Sequence, residues 1–353
     1  MPDQQHALVT GALGVIGGGV VDHLATLDDW TVTSLARRPA PDGRADQHLE
    51  LDLLDREKLA GAADAVQGVT HLVFAAYAES GEAAKDIEVN TGMLEGALDL
   101  LQQAGAPLRH VTLYQGGKAY GAHLGAYRTP ARETDPRLPI AHFYYTQEDL
   151  LRERAPRDGF TFSILRPDIV LGTSRRSPMN LAQSLAAFAL VNRELGLPLR
   201  FPGTAEATDV LVNTTDAGLL AEATVWAGTS DAAAGGTFNV VNGDLFRWPQ
   251  LFERVAGYFG MESDVPQPVP LSENMPPLAP VWERLTEREG LDAPAFDDLG
   301  GWDFLDFLFS AKTDGILDTV ALHQAGFHGV RRTEDALFAV FDRLRAQGVI
   351  PRT

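Results

Sequence analysis

The sequence predicts an α/β protein, with a doubly wound parallel Rossmann sheet and a smaller, mostly helical C-terminal lobe. Two observations support this fold class. A glycine-rich turn lies between the first apolar segment and a helix-like stretch, and apolar segments then alternate with helical periodicity over about the first 170 residues. The segment 70–76 is almost continuously apolar, as expected for a strand that helices cover on both faces.

Each predicted strand is a short apolar run, and each predicted helix has an apolar face that recurs at helical spacing. The predicted strands span residues 6–9, 30–36, 48–53, 70–76, 109–114, 160–165 and 236–241, with short extended segments at 199–202 and 210–213. The predicted helices span residues 83–104, 145–155, 180–195, 215–226, 246–259 and 334–347. The proline-dense stretch 266–280 is predicted to be mostly loop.

The second half of the chain is less regular, and the sheet is expected to close with segments from both halves. We expect the cofactor-binding sheet domain to comprise residues 1–174 and about 203–244, and the substrate lobe about 175–202 and 245–353. The chain has 353 residues, of which 45% are hydrophobic, so burial does not limit a fold of this size. The aromatic stretch 302–309 is expected to pack in the core of the lobe or to line an apolar pocket.

Composition excludes several classes of partner and site. The formal net charge of −19 opposes binding to nucleic acid and to anionic lipid surfaces. No apolar run approaches the ~18 residues of a membrane span, and the first residues show no secretory signal, so we expect a cytoplasmic protein. The absence of cysteine excludes disulfides, thiolate metal ligands and thiol nucleophiles. A homodimer is a candidate assembly.

The glycine turn is typical of a dinucleotide-binding βα unit. Gly11, Gly14 and Gly17 are spaced three residues apart, directly after the first predicted strand. Glycines allow a tight turn and a close approach of the backbone to a diphosphate, whose charge is stabilised at the N-terminus of the following helix. An ordinary glycine-rich turn is the alternative, but the position after the first strand favours dinucleotide binding.

The end of the second predicted strand discriminates between the two nicotinamide cofactors. An acidic residue there would bind the ribose 2′-hydroxyl of NAD, whereas this chain has Arg37 and Arg38. Two guanidinium groups suit a 2′-phosphate, so NADPH or NADP⁺ is the expected cofactor. Asp52 is expected to accept a hydrogen bond from the adenine amino group, or else to cap a turn.

The remaining cofactor contacts are expected in the glycine turn and at the carboxyl edge of the sheet, where doubly wound sheets bind their ligands. The expected cofactor-binding residues are Thr10, Gly11, Gly14, Val15, Ile16, Arg37, Arg38, Asp52, Leu53, Ala75, Ala76, Gln115, Lys118, Tyr144, Pro167, Ile169, Ser177 and Met179. No metal ligand is among the predicted site residues.

A proton donor is predicted, but not in the arrangement that is usual for this fold. An oxygen that gains negative charge during hydride transfer needs a donor, and a phenol beside an ammonium group can serve. Many enzymes of the fold take both groups from one helix as Tyr-x-x-x-Lys, but four residues after Tyr144 this chain has Glu148. Lys118, just after the fifth predicted strand, is the candidate replacement, so Lys118 and Tyr144 are the predicted catalytic pair. Taken singly, Lys118 could be a solvated loop lysine and Tyr144 a packed aromatic residue.

Several segments occur in an order that matches one family. They are TGALGVIG, LARRP, NTGML, LYQGGKAYG, HFYYTQEDLL, LRPDIVLGTSRRSPMN, LPLRFPG, TDAGLLAEATVWA and FNVVNGDLFRWPQLFERVAGYFG. On these segments, which lie within residues 7–260, the chain resembles the extended short-chain dehydrogenases/reductases of the progesterone 5β-reductase and iridoid synthase type, the PRISE family.

The resemblance implies NADPH-dependent reduction of the C=C bond of a small, apolar α,β-unsaturated carbonyl compound, with hydride added to the β-carbon. The family's tyrosine maps to Tyr144 and its lysine to Lys118, and together they would stabilise the enolate. The chain departs from the family pattern at Ala119, where histidine is common, and at His142, where asparagine is common. The loop 203–209 also lacks a tryptophan that is frequent in plant members.

The lobe is expected to bound the substrate site. Tyr145, Asn180 and Phe188 are the candidate substrate residues, although Tyr145 and Phe188 could pack in the interior and the neighbouring Ser177 could simply cap a helix. Three other functions remain as alternatives: carbonyl reduction, sugar-nucleotide epimerisation or dehydration, and non-catalytic regulation through bound NADPH. Sugar-nucleotide chemistry is disfavoured because its usual hydroxyl position is Gly116. A non-catalytic regulator is disfavoured because the proton donor is retained.

Overall fold

The computed structural model describes residues 4–40, 43–174, 179–299 and 301–352. Its strands are β1 Gln5–Thr10, β2 Trp30–Ala36, β3 Gln47–Glu50, β4 His71–Phe74, β5 His110–Tyr114, β6 Thr161–Pro167, β7 Val170–Leu171, β8 Leu199–Arg200, β9 Thr215–Asp216, β10 Thr237–Val240 and β11 Ser263–Asp264. Seven of them form one parallel sheet in the order β10-β6-β5-β4-β1-β2-β3. The predicted doubly wound fold is therefore confirmed.

The connections between these strands are mostly helical, as parallel pairing requires. The helices are α1 Val15–Leu24, α2 Arg56–Gly61, α3 Ala83–Gln103, α4 Phe143–Asp158, α5 Leu181–Glu194, α6 Ala217–Thr229, α7 Trp248–Tyr258, α8 Leu271–Asn274, α9 Ala279–Glu289, α10 Phe296–Leu299, α11 Trp302–Phe309, α12 Val320–Gln324 and α13 Thr333–Ala346. Within the described ranges, none of them combines the length and apolarity needed to cross a bilayer.

The strand order places a crevice where the candidate site is expected. Strand β1 pairs with β2 on one side and with β4 on the other, so the winding direction of the sheet reverses between β1 and β4. Ligands of doubly wound sheets bind outside the carboxyl ends of the strands at such a reversal. The turns after β1, β4, β5 and β6 therefore meet at one edge.

Successive side chains of the strands point to opposite faces of the sheet and pack in two apolar layers. Ala7 and Val9 pack with α1 and α6 on one face of the sheet, whereas Leu8 packs with α3 and α4 on the other. A third cluster forms the core of the mostly helical lobe, where Trp248 and Phe309 pack edge to face at 4.9 Å between ring centroids. Helix α11 contributes to this cluster, so the aromatic stretch 302–309 packs largely in the core.

The structure corrects three local predictions. Residues 210–213 are not a strand, because only Val212 forms isolated bridges, to Phe246 and to Gly315. The stretch 266–280 is not mostly loop: it contains α8, whose first amides donate to the Asp306 carboxylate on α11, from Leu271 N at 2.7 Å among them. Strand β3 ends at Glu50, so the predicted strand residues after it lie in a loop.

Two histidines are buried at the amino ends of the central strands, on the edge of the sheet opposite the crevice. His71 begins β4 and His110 begins β5, and their rings lie 6.4 Å apart. Burial lowers the pKa of both imidazoles, and that of His110 falls to about 3. An unfolded histidine titrates near ~6.5, so between these values the unfolded chain binds more protons than the folded chain, and stability falls as the pH falls.

We predict that His110→Phe, which keeps a ring beside His71 but cannot titrate, weakens this pH dependence. Between pH 7 and 5, the free energy of unfolding of the wild type should fall by about 2 kcal/mol more than that of the variant. Urea unfolding at a series of pH values measures the difference. Equal losses in the two proteins would contradict the assignment.

Candidate active site

The glycine turn between β1 and α1 forms a cradle that side chains do not fill. Gly11 has a φ of +64°, and a Cβ atom there would lie 2.4 Å from the carbonyl oxygen of Ala75. A Cβ atom at Gly17 would lie 2.4 Å from the carbonyl oxygen of Gly11. Gly14 offers α1 no side-chain cap, and the Thr10 hydroxyl is buried without a hydrogen-bond partner in the described part of the chain. Uncapped helix amides and a bare turn fit a diphosphate.

The two arginines after β2 are exposed, and neither guanidinium group forms an ion pair with another described residue. A contact from β3 positions their turn: the Nε2 atom of His48 lies 2.9 Å from the carbonyl oxygen of Arg38. The other ring nitrogen, Nδ1, lies 2.8 Å from the hydroxyl of Ser34 on β2. Arg37 and Arg38 thus follow a positioned backbone, and among the described residues no carboxylate competes with an anion for either guanidinium group.

The loop after β3 gives Asp52 a structural contact. Its Oδ1 accepts a hydrogen bond from the backbone amide of Leu54 at 2.9 Å, as in an Asp-initiated turn. Leu53 is buried beside it, and Ala75 and Ala76 follow β4 next to the glycine turn. This turn uses only one of the two carboxylate oxygens of Asp52, so the other could still accept a hydrogen bond from adenine. That adenine contact stays a prediction.

Tyr144 lies in the first turn of α4, at the carboxyl edge of the sheet. The helix is capped by His142, whose Nδ1 accepts from the Tyr144 amide at 3.1 Å. Gln115, directly after β5, donates from Nε2 to the Tyr144 carbonyl oxygen at 3.0 Å. The phenol oxygen lies 3.6 Å from where a Cβ atom of Gly116 would stand. The bare backbone at Gly116 therefore faces the Tyr144 hydroxyl.

Lys118 lies in a short 3₁₀ turn, Gly117–Tyr120, after β5, and its charge is already paired. Its Nζ is 2.7 Å from Glu79 Oε1 and donates to the Tyr77 hydroxyl at 3.2 Å. The Tyr77 hydroxyl in turn donates to Glu79 Oε2 at 2.6 Å. Sequence reasoning missed Tyr77 and Glu79, although their position just after β4 places them at the same edge of the sheet.

The protonation of Tyr144 follows from burial more than from Lys118. Burial raises the pKa of the Tyr144 phenol well above its ordinary value, Glu79 raises it further, and Arg166 opposes both. Burial alone would raise the pKa of Glu79, but hydrogen bonds from Lys118 and Tyr77 lower it below its usual value. The ionised Glu79 offsets the lysine charge that the sequence led us to expect at the phenol, so Tyr144 keeps its proton at neutral pH.

Residues at the end of β6 lie against the loop that carries Gly116 and Lys118. The carbonyl oxygen of Pro167 lies 3.4 Å from the Cβ position of Gly116, and Ile169 has a φ of +33°, an unusual value for a branched residue. Between them, Asp168 is partly exposed, its Oδ1 lies 3.6 Å from the Cβ position of Gly117, and desolvation of the carboxyl group raises its pKa to about 7. Asp168 lies within the LRPDIVLG segment, but that segment does not predict the desolvation of its carboxyl group, because the desolvation depends on contacts with another loop.

The three candidate substrate residues have internal contacts in the structure. The Tyr145 hydroxyl donates to the Ala119 carbonyl oxygen at 3.0 Å and accepts from the Leu138 amide at 3.1 Å. Asn180 is fully buried and caps α5, and Phe188 packs in the lobe core. Substrate contact by these residues stays a prediction. Ser177 lies outside the described residues, and Met179 is 37% exposed.

The turns after β1, β4, β5 and β6 thus bring a bare glycine cradle and a protonated phenol to one edge of the sheet. Lys118 and Tyr144 share this corner, and no hydrogen bond joins them directly within the described ranges. The arrangement offers an anion-binding turn, a hydrogen-bond donor held protonated by burial, and an ion pair beside it.

Solved structures with the same fold span nearly the whole chain. A UDP-glucose 4-epimerase from Thermotoga maritima, solved with UDP-glucose, aligns with a TM-score of 0.70 at 18% identity, covering 97% of this chain and 99% of that one. A UDP-glucose 4-epimerase from Thermus thermophilus, solved with NAD, aligns with a TM-score of 0.67 at 22% identity and the same coverage. At these identities the likeness shows the fold alone.

Sequence relatives are closer. A (S)-8-oxocitronellyl enol synthase from Nepeta cataria is 31% identical, over 98% of this chain and 93% of that protein. A 3-oxo-Delta(4,5)-steroid 5-beta-reductase from Arabidopsis thaliana is 30% identical over the same shares of the two chains. Residues 44–351 match the PRISE-like Rossmann-fold domain. The resemblance seen in the sequence motifs is thereby confirmed, and the chain belongs to the PRISE-like Rossmann-fold family of the extended short-chain dehydrogenases/reductases.

Proposed function

We propose that this protein is an NADPH-dependent ene-reductase, which adds hydride to the β-carbon of a neutral, largely apolar α,β-unsaturated carbonyl compound. The observation that carries the proposal is the partly buried Tyr144 phenol, which faces the bare Gly116 backbone at the carboxyl edge of the sheet and whose pKa desolvation raises. The printed names of two relatives, an enol synthase and a steroid 5-beta-reductase acting on a 3-oxo-Delta(4,5) compound, support chemistry at a conjugated carbonyl group.

Tyr144 acts on the substrate oxygen. Because burial raises the pKa of its phenol, Tyr144 holds a proton at neutral pH and can donate it in a hydrogen bond to the carbonyl oxygen. As negative charge grows on that oxygen, the hydrogen bond strengthens, and the phenol stabilises the enolate. The Lys118–Glu79–Tyr77 cluster holds an ammonium group in the same corner, where it orients the loop beside the phenol.

The cofactor is proposed from the residues that would hold it. The glycine cradle suits the diphosphate, and Arg37 and Arg38 suit a 2′-phosphate, since both guanidinium groups lack another described ion-pair partner. When bound, NADPH supplies the hydride. The residues of the chain then orient the reacting groups and hold the proton.

The first test is turnover on a panel of cyclic enones and conjugated enals. NADPH oxidation should depend on the added enone, and product analysis by mass and NMR should show a saturated carbonyl compound. Tyr144→Phe should lower kcat by about 10²- to 10⁴-fold, because the proton donor is lost. Lys118→Met should lower kcat by about tenfold or more, because the contacts with Glu79 and Tyr77 that orient the loop beside the phenol are lost.

The matched control is Tyr114→Phe, which removes a buried hydroxyl that lies 2.6 Å from Thr224 on α6. This variant should keep the kcat of the wild type. Full turnover by both Tyr144→Phe and Lys118→Met would refute the assigned donor pair, and an allylic alcohol as product would instead indicate carbonyl reduction.

Cofactor choice is tested separately from chemistry. Replacing Arg37 and Arg38 by alanine should raise the Kd of NADP⁺ at least about tenfold, because charge-assisted hydrogen bonds to a phosphate are lost. The Kd of NAD⁺ should change little, since NAD⁺ lacks the 2′-phosphate. Calorimetry measures both constants, with Arg254→Ala, an exposed arginine paired with Glu334 at 2.9 Å, as the control. Equal losses for the two nucleotides would contradict NADPH preference.

A further inference from the structure

The charge of Lys118, the cation that the sequence predicts beside Tyr144, is largely offset by an ion pair. Lys118 Nζ lies 2.7 Å from Glu79 Oε1, and Glu79 is ionised. Two opposite charges so close together produce a weak field at a distance, and their half-exposed position lets solvent screen it further. A phenolate at Tyr144 therefore needs a positive charge from another part of the site.

Arg166 supplies such a charge behind the tyrosine. It lies near the end of β6 and is 6% exposed. Its Nε donates to Gln115 Oε1 at 2.9 Å, and a terminal nitrogen donates to the Tyr120 hydroxyl at 3.0 Å. Gln115 in turn donates to the Tyr144 carbonyl oxygen at 3.0 Å, so a single glutamine links the guanidinium group to the start of α4. Both of these hydrogen-bond partners of Arg166 are neutral.

The carboxylate nearest to Arg166 is shared. Glu148, on α4 at the position where related folds carry lysine, lies 3.9 Å from Arg166. It lies closer to two more exposed arginines, at 2.7 Å from Arg152 and 3.1 Å from Arg137. Arg137 also pairs with Asp149 at 2.8 Å. Three guanidinium groups thus face these two carboxylates, and Arg166 is the buried one. The half-buried Glu133 carboxyl group also interacts with Arg166, but burial raises its pKa above the usual value, which weakens its opposing charge.

We propose that Arg166 is a positioning residue for the reaction: its buried guanidinium group, held by Gln115, Tyr120 and Glu148, provides the positive potential that stabilises Tyr144 as its phenol gives up a proton. The proposal rests on the proposed role of Tyr144. In that step the phenol O–H bond breaks and the proton passes to the enolate oxygen, which leaves the negative charge on Tyr144. The phenolate regains a proton from solvent before the next turnover.

Some of the groups around the phenol raise the pKa of Tyr144 and others lower it. The charged and titratable groups that face this corner include Tyr77, Glu79, Asp86, Lys118, Tyr120, His123, Tyr127, Glu133, Arg137, His142, Glu148, Arg152, Arg166 and Asp168. Burial, Glu79 and Asp168 raise the pKa of Tyr144, whereas Arg166 lowers it. Burial would raise the pKa of Glu148, but its arginine partners lower it below the usual value, so Glu148 carries a negative charge beside Arg166.

The proposal predicts changes of opposite sign in the pKa of Tyr144. Arg166→Gln removes the positive charge and should raise this pKa by about one unit, whereas Glu148→Gln removes the opposing carboxylate and should lower it by a similar amount. The probe is 3,5-difluorotyrosine incorporated at position 144, because fluorination brings the phenol ionisation into an accessible pH range. Titration by ¹⁹F NMR of the whole protein reads this pKa without any substrate.

Two further variants separate charge from structure. Arg166→Lys keeps the charge but not the fork of hydrogen bonds, so it should leave the pKa nearer to the wild-type value than Arg166→Gln does. Glu153→Gln, on the exposed side of α4 and 3.9 Å from Arg157, should not shift it. If Arg166→Gln does not fold, the direction in which Glu148→Gln shifts the pKa at position 144 is sufficient to test the proposal.

An unchanged or raised pKa in Glu148→Gln would overturn the proposal, as would an unchanged pKa in a folded Arg166→Gln. Failure of the proposed function gives a different result, namely the predicted pKa shifts without turnover on any enone. If turnover is found, kcat should fall as the pKa of the Tyr144 phenol rises. Arg166→Gln should therefore lower kcat with little change in KM. A loss confined to KM would contradict a role at the phenol.

Discussion

The partial burial of a single phenol, that of Tyr144 at the carboxyl edge of the sheet, is the constraint on which the candidate site depends. Tyr144 stands in the first turn of α4, and its hydroxyl faces a backbone that bears no side chain at Gly116. The helix start is fixed from two sides, by the His142 cap and by Gln115. A phenol held in this way keeps its proton, and any charge that develops on it must be stabilised by neighbouring groups.

The distribution of charge around the phenol follows from that need. The helix position where related folds carry a lysine is Glu148, and this carboxylate is enclosed by three arginines. Lys118 lies in the loop after β5, where Glu79 offsets much of its charge. Arg166 therefore becomes the buried cation behind Tyr144. The same set of charges, placed on other elements, can still favour an anionic oxygen at one edge of the sheet.

Local sequence patterns were sufficient to predict the sheet. Alternating apolar segments, helical periodicity and the glycine turn predicted the strands, the winding and the edge at which a nucleotide would bind. The predictions that failed depended on contacts distant in sequence. Helix α8 forms in a proline-rich stretch because Asp306, on a later helix, accepts hydrogen bonds from its first amides. Residues 210–213 are too sparsely paired to form a strand.

The site was predictable only in part, for the same reason. Tyr144 and Lys118 could be found from the strand ends and the family resemblance, and they do occupy one corner. The ion pair of Lys118 with Glu79 and the desolvation of the Asp168 carboxyl group could not be predicted, because each depends on how two separate loops pack. Their effect on the phenol is electrostatic and requires distances that no motif contains.

The most direct test of this account is a crystal structure of the protein with NADP⁺. We predict that the diphosphate lies against the glycine turn, the 2′-phosphate between the Arg37 and Arg38 guanidinium groups, and the Tyr144 hydroxyl beside the nicotinamide ring. A Tyr144 hydroxyl directed away from the nicotinamide ring, or a nicotinamide bound outside the carboxyl edge of the sheet, would contradict it.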